Sequence, residues 1–125
     1  MTETMRAAVV TAEGVRVQEM PRPSPGPEEV LVRVRAATLN RADLGVAAGG
    51  AHGAMGGVGT ILGLDFAGEV EAIGSAVTGV KVGDRVTASG SGGYAEYAVA
   101  DMGRVQKVPD RNLSWEEAAT LPVAL

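Results

Sequence analysis

Apolar and polar side chains alternate along much of the chain, and this alternation predicts short β-strands. The longest such run is residues 29–39 (EVLVRVRAATL), where valines at every second position alternate with two arginines. Because successive side chains of a strand point to opposite faces, this run predicts a strand with one buried and one charged face. Residues 6–11, 15–20, 94–99 and 105–108 are further candidate strands. We therefore expect a mainly β protein.

Glycines divide the apolar runs between Ile61 and Val86 into short pieces. The spacing fits strands interrupted by bulges and tight turns, and it does not fit a helix. The glycines concerned are Gly63, Gly68, Gly74, Gly79 and Gly83.

Two segments have helical signals. Residues 40–48 place apolar side chains at helical spacing after Asn40, a suitable N-cap, and predict one or two helical turns. Ser114 and Glu117 have the spacing of a capping box, in which each side chain bonds the other's backbone amide. They predict a second helix that reaches Leu121 and ends before the proline that follows.

Two further segments are predicted to lack strands and helices. Four prolines between positions 21 and 27 predict a stiff, extended connector, because proline cannot donate to a sheet ladder. Residues 49–59 (GGAHGAMGGVG) have no periodicity and predict a mobile loop. His52 in that loop has no neighbouring partner in the sequence to orient it, so it is a weak candidate for chemistry.

Composition limits the possible functions. A chain of 125 residues with 46% hydrophobic and 21% charged residues predicts one globular domain. The net charge of −4 disfavours nucleic acid and anionic membranes as partners, and no apolar run approaches the roughly 20 residues of a membrane helix. Cysteine is absent, which excludes disulfides and thiolate metal sites. We expect a cytoplasmic protein with small-molecule or protein partners.

No nucleotide or metal site emerges from the motifs. Residues 90–95 match the letters of the dinucleotide fingerprint GxGxx[GA], but the following residues have the period of a strand, whereas the fingerprint must open a helix. Residues 57–62 fail the same test, since Leu62 stands where the third glycine belongs. One histidine without cysteines makes a zinc site improbable on composition alone.

Several ordered motifs resemble one family. They are PGPEEVLVRVRAATLNRADL at 25–44, the glycine pattern ending in GDRV at 63–86, GGYAEYAV at 92–99 and VPDRNLSWEEAATLPVAL at 108–125. Together they resemble the N-terminal, GroES-like domain of medium-chain dehydrogenases/reductases, in the zinc-free quinone oxidoreductase branch. The resemblance implies that residues 1–125 form a GroES-like, partly open β-barrel with short helices.

The resemblance also implies a function. Members of this branch reduce quinones or activated alkenes and carbonyls with NADPH or NADH, and a homodimer is implied for the full-length enzyme. Asn40 and Asp43, in the family's LNxxD motif, correspond to residues that position substrate and cofactor in the cleft. Pro122 and Val123 correspond to cofactor contacts. A Rossmann domain holding most of the cofactor is expected after residue 125, so we expect the isolated chain to be inactive.

The sequence departs from the patterns of related families at several positions, and these departures narrow the expected chemistry. Zinc alcohol dehydrogenases have a cysteine where this chain has Asn40, and Gly-His-Glu where it has Gly63-Leu64-Asp65. We therefore expect no zinc. The arginine and tyrosines that often follow the LNxxD aspartate are absent, with Gly45, Ala47 and Ala51 at those positions, which weakens the case for aromatic stacking on a quinone.

Two alternatives remain. One is a free-standing GroES-like binding or co-chaperonin module, in which residues 49–59 dock a partner through Met55 and Val58. The other is a degenerate alcohol dehydrogenase-like protein.

Overall fold

A computed structural model describes residues 3–38, 51–52, 55–56, 61–63, 65–90, 92–108 and 113–124, with the backbone alone at 51–52, 55–56 and 120–124. The predicted helix at 40–48 lies outside these residues. Within them the chain is mainly β, as predicted. The strands are β1 Thr4–Thr11, β2 Gly14–Pro21, β3 Glu29–Ala37, β4 Ala51–His52, β5 Met55–Gly56, β6 Asp65–Ile73, β7 Arg85–Ser89, β8 Tyr97–Asp101 and β9 Val105–Lys107.

A five-stranded antiparallel sheet with the order β8-β3-β6-β7-β9 forms the centre of the domain. Its inner face is aliphatic because the aromatic content of the chain is only 3%. Phe66 at the start of β6 is the one large aromatic in this core, and it packs with valines and alanines of the other strands. The buried members are Val30, Val32, Phe66, Val70, Val86, Ala88, Ala98 and Ala100.

The pairing of β3 with β6 is irregular at two points, between Leu31 and Val32 and between Val34 and Ala36. Such bulges bend and twist a sheet, which helps it curl toward a barrel. At the second irregularity Gly68 lies against β3, and a Cβ added there would overlap the Arg33 carbonyl oxygen. Glycine at this position therefore allows the two backbones to approach.

The hairpin of β1 and β2 packs against one side of the curved sheet. Ala7 forms an isolated bridge with Ala95, and Val9 forms another with Ile61. The Ala8 amide also donates to the Tyr94 carbonyl oxygen at 2.8 Å. These contacts join the N-terminal hairpin to segments more than 50 residues away, and they complete the half-barrel.

The helix α1 (Trp115–Ala124) begins at the predicted capping box. The Ser114 amide donates to Glu117 Oε1 at 3.0 Å, and the Glu117 amide donates to Ser114 Oγ at 3.1 Å. The helix lies against the sheet, where Ala118 and Ala119 pack on Ala67 of β6. This small-residue contact allows the helix axis to approach the strands closely.

Arg85 of β7 fixes the start of α1. Its guanidinium lies 4.3 Å from the centroid of the Trp115 ring, and its Nη2 donates to the Leu113 carbonyl oxygen at 3.0 Å. The end of the helix corrects a prediction: α1 does not stop at Leu121 but continues through Pro122 to Ala124. Pro122 leaves the Ala118 carbonyl without an amide donor, and the Thr87 hydroxyl donates to that carbonyl instead.

Three further expectations can be compared with the structure. Pro21 pairs with Thr4 as the last residue of β2, so the prolines do not all lie outside strands; β2 is an edge strand, where a missing amide is tolerated. The predicted loop 49–59 contains the paired strands β4 and β5, because antiparallel pairing needs only backbone groups. The glycines near position 92 lead into strand β8 and not a helix, as predicted.

Candidate functional site

Three strands of the five-stranded sheet begin or terminate at the same end of the sheet. β3 ends at Ala37, β6 begins at Asp65 and β7 ends at Ser89, which is the register partner of Asp65. The Thr38 amide donates to the Asp65 carbonyl oxygen at 3.1 Å and so continues the β3–β6 pairing by one residue. We call this end of the sheet the rim; it consists of Thr38, Asp65, Ser89 and the segment Gly92–Tyr94.

The rim is where the chain enters the segment that carries the predicted cleft residues. Thr38 is separated from Asn40 by a single residue, and Asp43 follows three residues later. Both lie outside the described residues. The position of Thr38 nevertheless determines where the chain enters this segment, and the rim is therefore the candidate functional site.

Tyr94 holds Thr38 in place. Its hydroxyl donates to the Thr38 carbonyl oxygen at 2.9 Å across 56 residues of sequence. The Tyr94 amide donates to the Leu62 carbonyl oxygen at 2.8 Å, and its own carbonyl accepts from Ala8. Since the backbone of Tyr94 is held on both sides, its ring is a rigid arm that fixes the end of β3.

Gly63 makes room for this arm. Its φ of 105° lies in the left-handed region that favours glycine. A Cβ added there would lie 2.8 Å from the Tyr94 amide nitrogen and 2.9 Å from that of Gly93. Any other residue would therefore push residues 93–94 away and disturb the bond from Tyr94 to Thr38.

Two polar side chains of the rim are withdrawn from solvent. Asp65 is only 5% exposed, a degree of burial that is unusual for a carboxylate. The Thr38 hydroxyl oxygen is also buried, and it has no hydrogen-bond partner among the residues that the structure describes. The buried Asp65 and Thr38 groups, the second only two residues before Asn40, make the rim a candidate binding site, where polar groups are placed for orientation.

The structure describes two of the four predicted site residues. Pro122 and Val123 lie in the last turn of α1, for which the backbone alone is described, while Asn40 and Asp43 fall in the undescribed segment 39–50. No group of three histidine, cysteine, aspartate or glutamate side chains suited to a metal is found in the described part of the chain.

Sequence reasoning missed the roles of Tyr94, Thr38 and Asp65 in the rim. The available signals were the motif GGYAEYAV, which includes Tyr94, and the position of Asp65 two residues after Gly63 of the glycine pattern. Neither signal reveals that the Tyr94 hydroxyl reaches Thr38, since that contact depends on the curl of the sheet. Among the described residues, no helix is long and apolar enough to span a membrane.

Comparison with known proteins gives consistent matches. Residues 26–110 match the family of alcohol dehydrogenase GroES-like domains. A trans-enoyl reductase from Alternaria alternata is 36% identical over 98% of this chain, and the match covers 37% of that protein. This chain therefore spans little more than a third of the length of that relative.

Solved structures share the fold. A quinone oxidoreductase from Coxiella burnetii superposes with a TM-score of 0.85 at 28% identity, covering 98% of this chain and 42% of that one. A cobalt- and zinc-bound thermostable alcohol dehydrogenase from Pyrobaculum aerophilum gives 0.83 at 33% identity, covering 96% and 45%. These neighbours share the architecture described above, and the alcohol dehydrogenase was solved with cobalt and zinc bound.

Proposed function

Because the chain belongs to the alcohol dehydrogenase GroES-like domain family of medium-chain dehydrogenases/reductases, we propose that it is the substrate-side domain of a zinc-independent, NAD(P)H-dependent reductase. Its substrates are quinones or other activated alkenes and carbonyls. The observation that carries the proposal is the match to a quinone oxidoreductase structure over 98% of this chain. The similarity to a trans-enoyl reductase extends the substrate class to polarised double bonds.

The proposed reaction asks little covalent chemistry of this domain. Hydride moves from the nicotinamide ring to the substrate, and the protein supplies orientation and electrostatic stabilisation. In the proposal, the Asn40 amide donates a hydrogen bond to the oxygen that gains charge, and Asp43 accepts one from the cofactor. Tyr94 supports this arrangement by fixing Thr38, and Pro122 and Val123 contact the cofactor from the other side.

Zinc independence rests on this chain's own residue types. Cysteine is absent, Asn40 stands where the zinc enzymes have a cysteine, and Leu64 stands where they have a histidine. Neither an amide nor an alkyl side chain is a usual zinc ligand. We expect elemental analysis of the purified protein to find no stoichiometric zinc and chelators to leave its thermal midpoint unchanged. One tightly held zinc per chain would contradict this part of the proposal.

Replacing Asn40 by alanine tests the proposed activity. In the protein expressed from its natural reading frame, we expect Asn40→Ala to lower the turnover of a quinone or enone with NADPH by on the order of 10², which is typical of losing one preorganised donor. The matched control is Asn112→Ala, which removes the chain's other asparagine. Equal turnover in wild type and a stably folded Asn40→Ala variant would leave Asn40 as a helix cap only.

Residues 1–125 are also proposed to be insufficient for cofactor binding. No strand in the described residues opens a helix through a glycine fingerprint, which is the feature that binds a pyrophosphate. Calorimetry of residues 1–125 with NADPH and with NADH is therefore expected to show no specific heat. A micromolar dissociation constant for either nucleotide would contradict this expectation. The homodimer proposed for the full-length enzyme is tested by its mass in solution.

A further inference from the structure

The helix α1 contains a proline in its interior, where proline normally removes one backbone hydrogen bond. Pro122 is the eighth residue of α1, and it has no amide hydrogen. In an α-helix the amide of each residue donates to the carbonyl four positions earlier, so the Ala118 carbonyl has no donor within the helix. Ala118 is fully buried against the sheet. A buried carbonyl without a partner would be costly, since water cannot reach it.

Thr87 supplies the missing hydrogen bond from the sheet. Its hydroxyl oxygen lies 2.7 Å from the Ala118 carbonyl oxygen, a normal length for a hydroxyl donor. The Phe66 carbonyl oxygen lies further away, at 3.4 Å. A threonine hydroxyl has one proton to donate, and the shorter and better placed acceptor is Ala118.

Because Thr87 is buried, its hydroxyl would be costly without a hydrogen-bond partner. Thr87 is 2% exposed, and with Asp65 it is one of two buried polar residues in the described part of the chain. It occupies the centre of β7, where a valine would pack equally well and cost no desolvation of a hydroxyl. The hydroxyl is therefore explained by its acceptor.

We propose that Thr87 is a positioning residue that replaces, from the sheet, the hydrogen bond that Pro122 removes from the helix. The bond lets α1 continue through Pro122 to Ala124 and fixes the backbone of Ala118, one turn before Pro122, to β7. It also explains why the helix does not end at Leu121.

The consequence for function rests on the proposed activity. Pro122 and Val123 are the residues proposed to contact the nicotinamide cofactor, and they follow Ala118, whose carbonyl Thr87 binds, by about one helical turn. Strand β7 also ends at Ser89 in the rim. Strand β7 thus has the rim at its end and, at its centre, the bond from Thr87 to Ala118, one helical turn before Pro122. Thr87 would set the distance between the rim and this part of α1.

A double-mutant cycle tests the bond itself. Thr87→Val removes the hydroxyl at nearly constant shape, and Pro122→Ala restores an amide that reaches Ala118. In the protein from its natural reading frame, we expect Thr87→Val to raise the unfolding equilibrium constant about tenfold, as for a buried acceptor left unpaired. In the Pro122→Ala background the same substitution should have a clearly smaller effect. Urea denaturation measures both values.

Two controls keep this test interpretable. Thr11→Val removes another strand hydroxyl, which donates to the Gly14 carbonyl oxygen at 2.6 Å, and its effect should not depend on residue 122. If Thr87→Val does not fold, the double variant with Pro122→Ala should fold. An equal effect of Thr87→Val in both backgrounds, or a double variant that also fails to fold, would overturn the proposal.

A kinetic test addresses the positioning role. In the same protein, we expect Thr87→Val to raise KM for NADPH several-fold while kcat changes less, because a displaced helix turn weakens binding of the cofactor. Thr87→Ser retains the hydroxyl and should restore KM. An unchanged KM in Thr87→Val, or equal defects in the serine and valine variants, would refute positioning. If wild type shows no NADPH-dependent activity, the proposed function fails, and the denaturation cycle still decides the hydrogen bond.

Discussion

The two ends of the five-stranded sheet are built in different ways. At the end where residues 74–84 join β6 to β7, hydrogen bonds connect near neighbours: the Asp84 amide donates to the Lys81 carbonyl oxygen and the Val77 amide to that of Gly74, both at 3.1 Å. At the rim, the bond from Tyr94 to Thr38 spans 56 residues. The turn at residues 79–84 is therefore local, although its end of the sheet is also joined to residues 27–29 by the Gly74 and Ala76 amides, whereas the rim exists only when the whole sheet has formed.

The glycines of the two ends show the same difference. Gly79 and Gly83 have positive φ angles of 87° and 94°, and a Cβ added to either would find no atom within 4 Å. Gly63 has a similar φ of 105°, but a Cβ there would press on the backbone of Tyr94 and Gly93. Gly79 and Gly83 are needed for their backbone angle alone, whereas Gly63 is needed also for space, as is Gly74, where a Cβ would overlap the Gly26 carbonyl oxygen. Gly63 should therefore tolerate substitution less well than Gly79 or Gly83.

Alanine at these glycines gives the largest expected difference. We expect Gly79→Ala to lower the free energy of unfolding by about 1–2 kcal/mol, the strain of a positive φ. Gly63→Ala carries the same strain and must also displace Tyr94, so its loss should exceed that of Gly79→Ala by about 1 kcal/mol or more. Urea denaturation of both variants measures the difference. Equal losses would show that the rim can relax around a methyl group.

The two tyrosines provide a second and smaller test. Tyr94→Phe removes the hydroxyl bound to the Thr38 carbonyl and should cost about 1 kcal/mol of unfolding free energy. Tyr97→Phe is the matched control, since the ring of Tyr97 meets the Arg22 guanidinium 4.0 Å from its centroid, and phenylalanine keeps that face. If the proposed reductase activity is measured, Tyr94→Phe should also lower turnover more than Tyr97→Phe. The reverse order would separate Tyr94 from the site.

The smallest expected effect is at the turn end, at Asp84. A hydrogen bond from the Lys81 amide holds the pKa of the Asp84 carboxyl below its ordinary value; burial opposes this shift, and the Lys107 ammonium adds to it. Because the pKa is lower in the folded state, the ionised carboxylate stabilises the fold above the unfolded-state pKa, and this contribution is lost as the pH falls through the lowered value.

Asp84→Asn should accordingly reduce the thermal midpoint slightly at pH 7, and the two midpoints should converge at pH 2. Added salt should shrink the part of the difference that comes from Lys107, since the lysine side chain is 58% exposed. A difference that grows on acidification would show that the sign of the assigned shift is wrong. Even the expected result would be modest, in keeping with a turn that is held by several local bonds.

Local patterns account for much of this protein. The alternation of residues 29–39 predicts β3, the pair Ser114 and Glu117 predicts the start of α1, and the glycines after position 60 predict turns and bulges. The family was also recognisable from ordered motifs. These features depend on residues a few positions apart, where the period of the backbone and the reach of one side chain are sufficient.

Other features required the folded chain. The pattern of the last helix predicts an end before Pro122, yet α1 continues because Thr87, 31 residues earlier, bonds the Ala118 carbonyl. The glycine-rich segment 49–59 predicts a loop, yet β4 and β5 pair within it. Neither outcome has a local signal. The residues around Pro122 do not indicate a threonine hydroxyl on a distant strand, and backbone pairing needs no particular side chains.

The sequence by itself determined the strands, the capped helix start and the family, because each follows from short-range periodicity and hydrogen bonding. Tertiary structure alone decided the rim. Tyr94 reaches Thr38 only because β1 pairs beside residues 61–63 and 94–95, and Gly63 matters because two backbones meet there. Contacts between segments 30 to 60 residues apart depend on the twist and closure of the whole sheet, which no single stretch of sequence encodes.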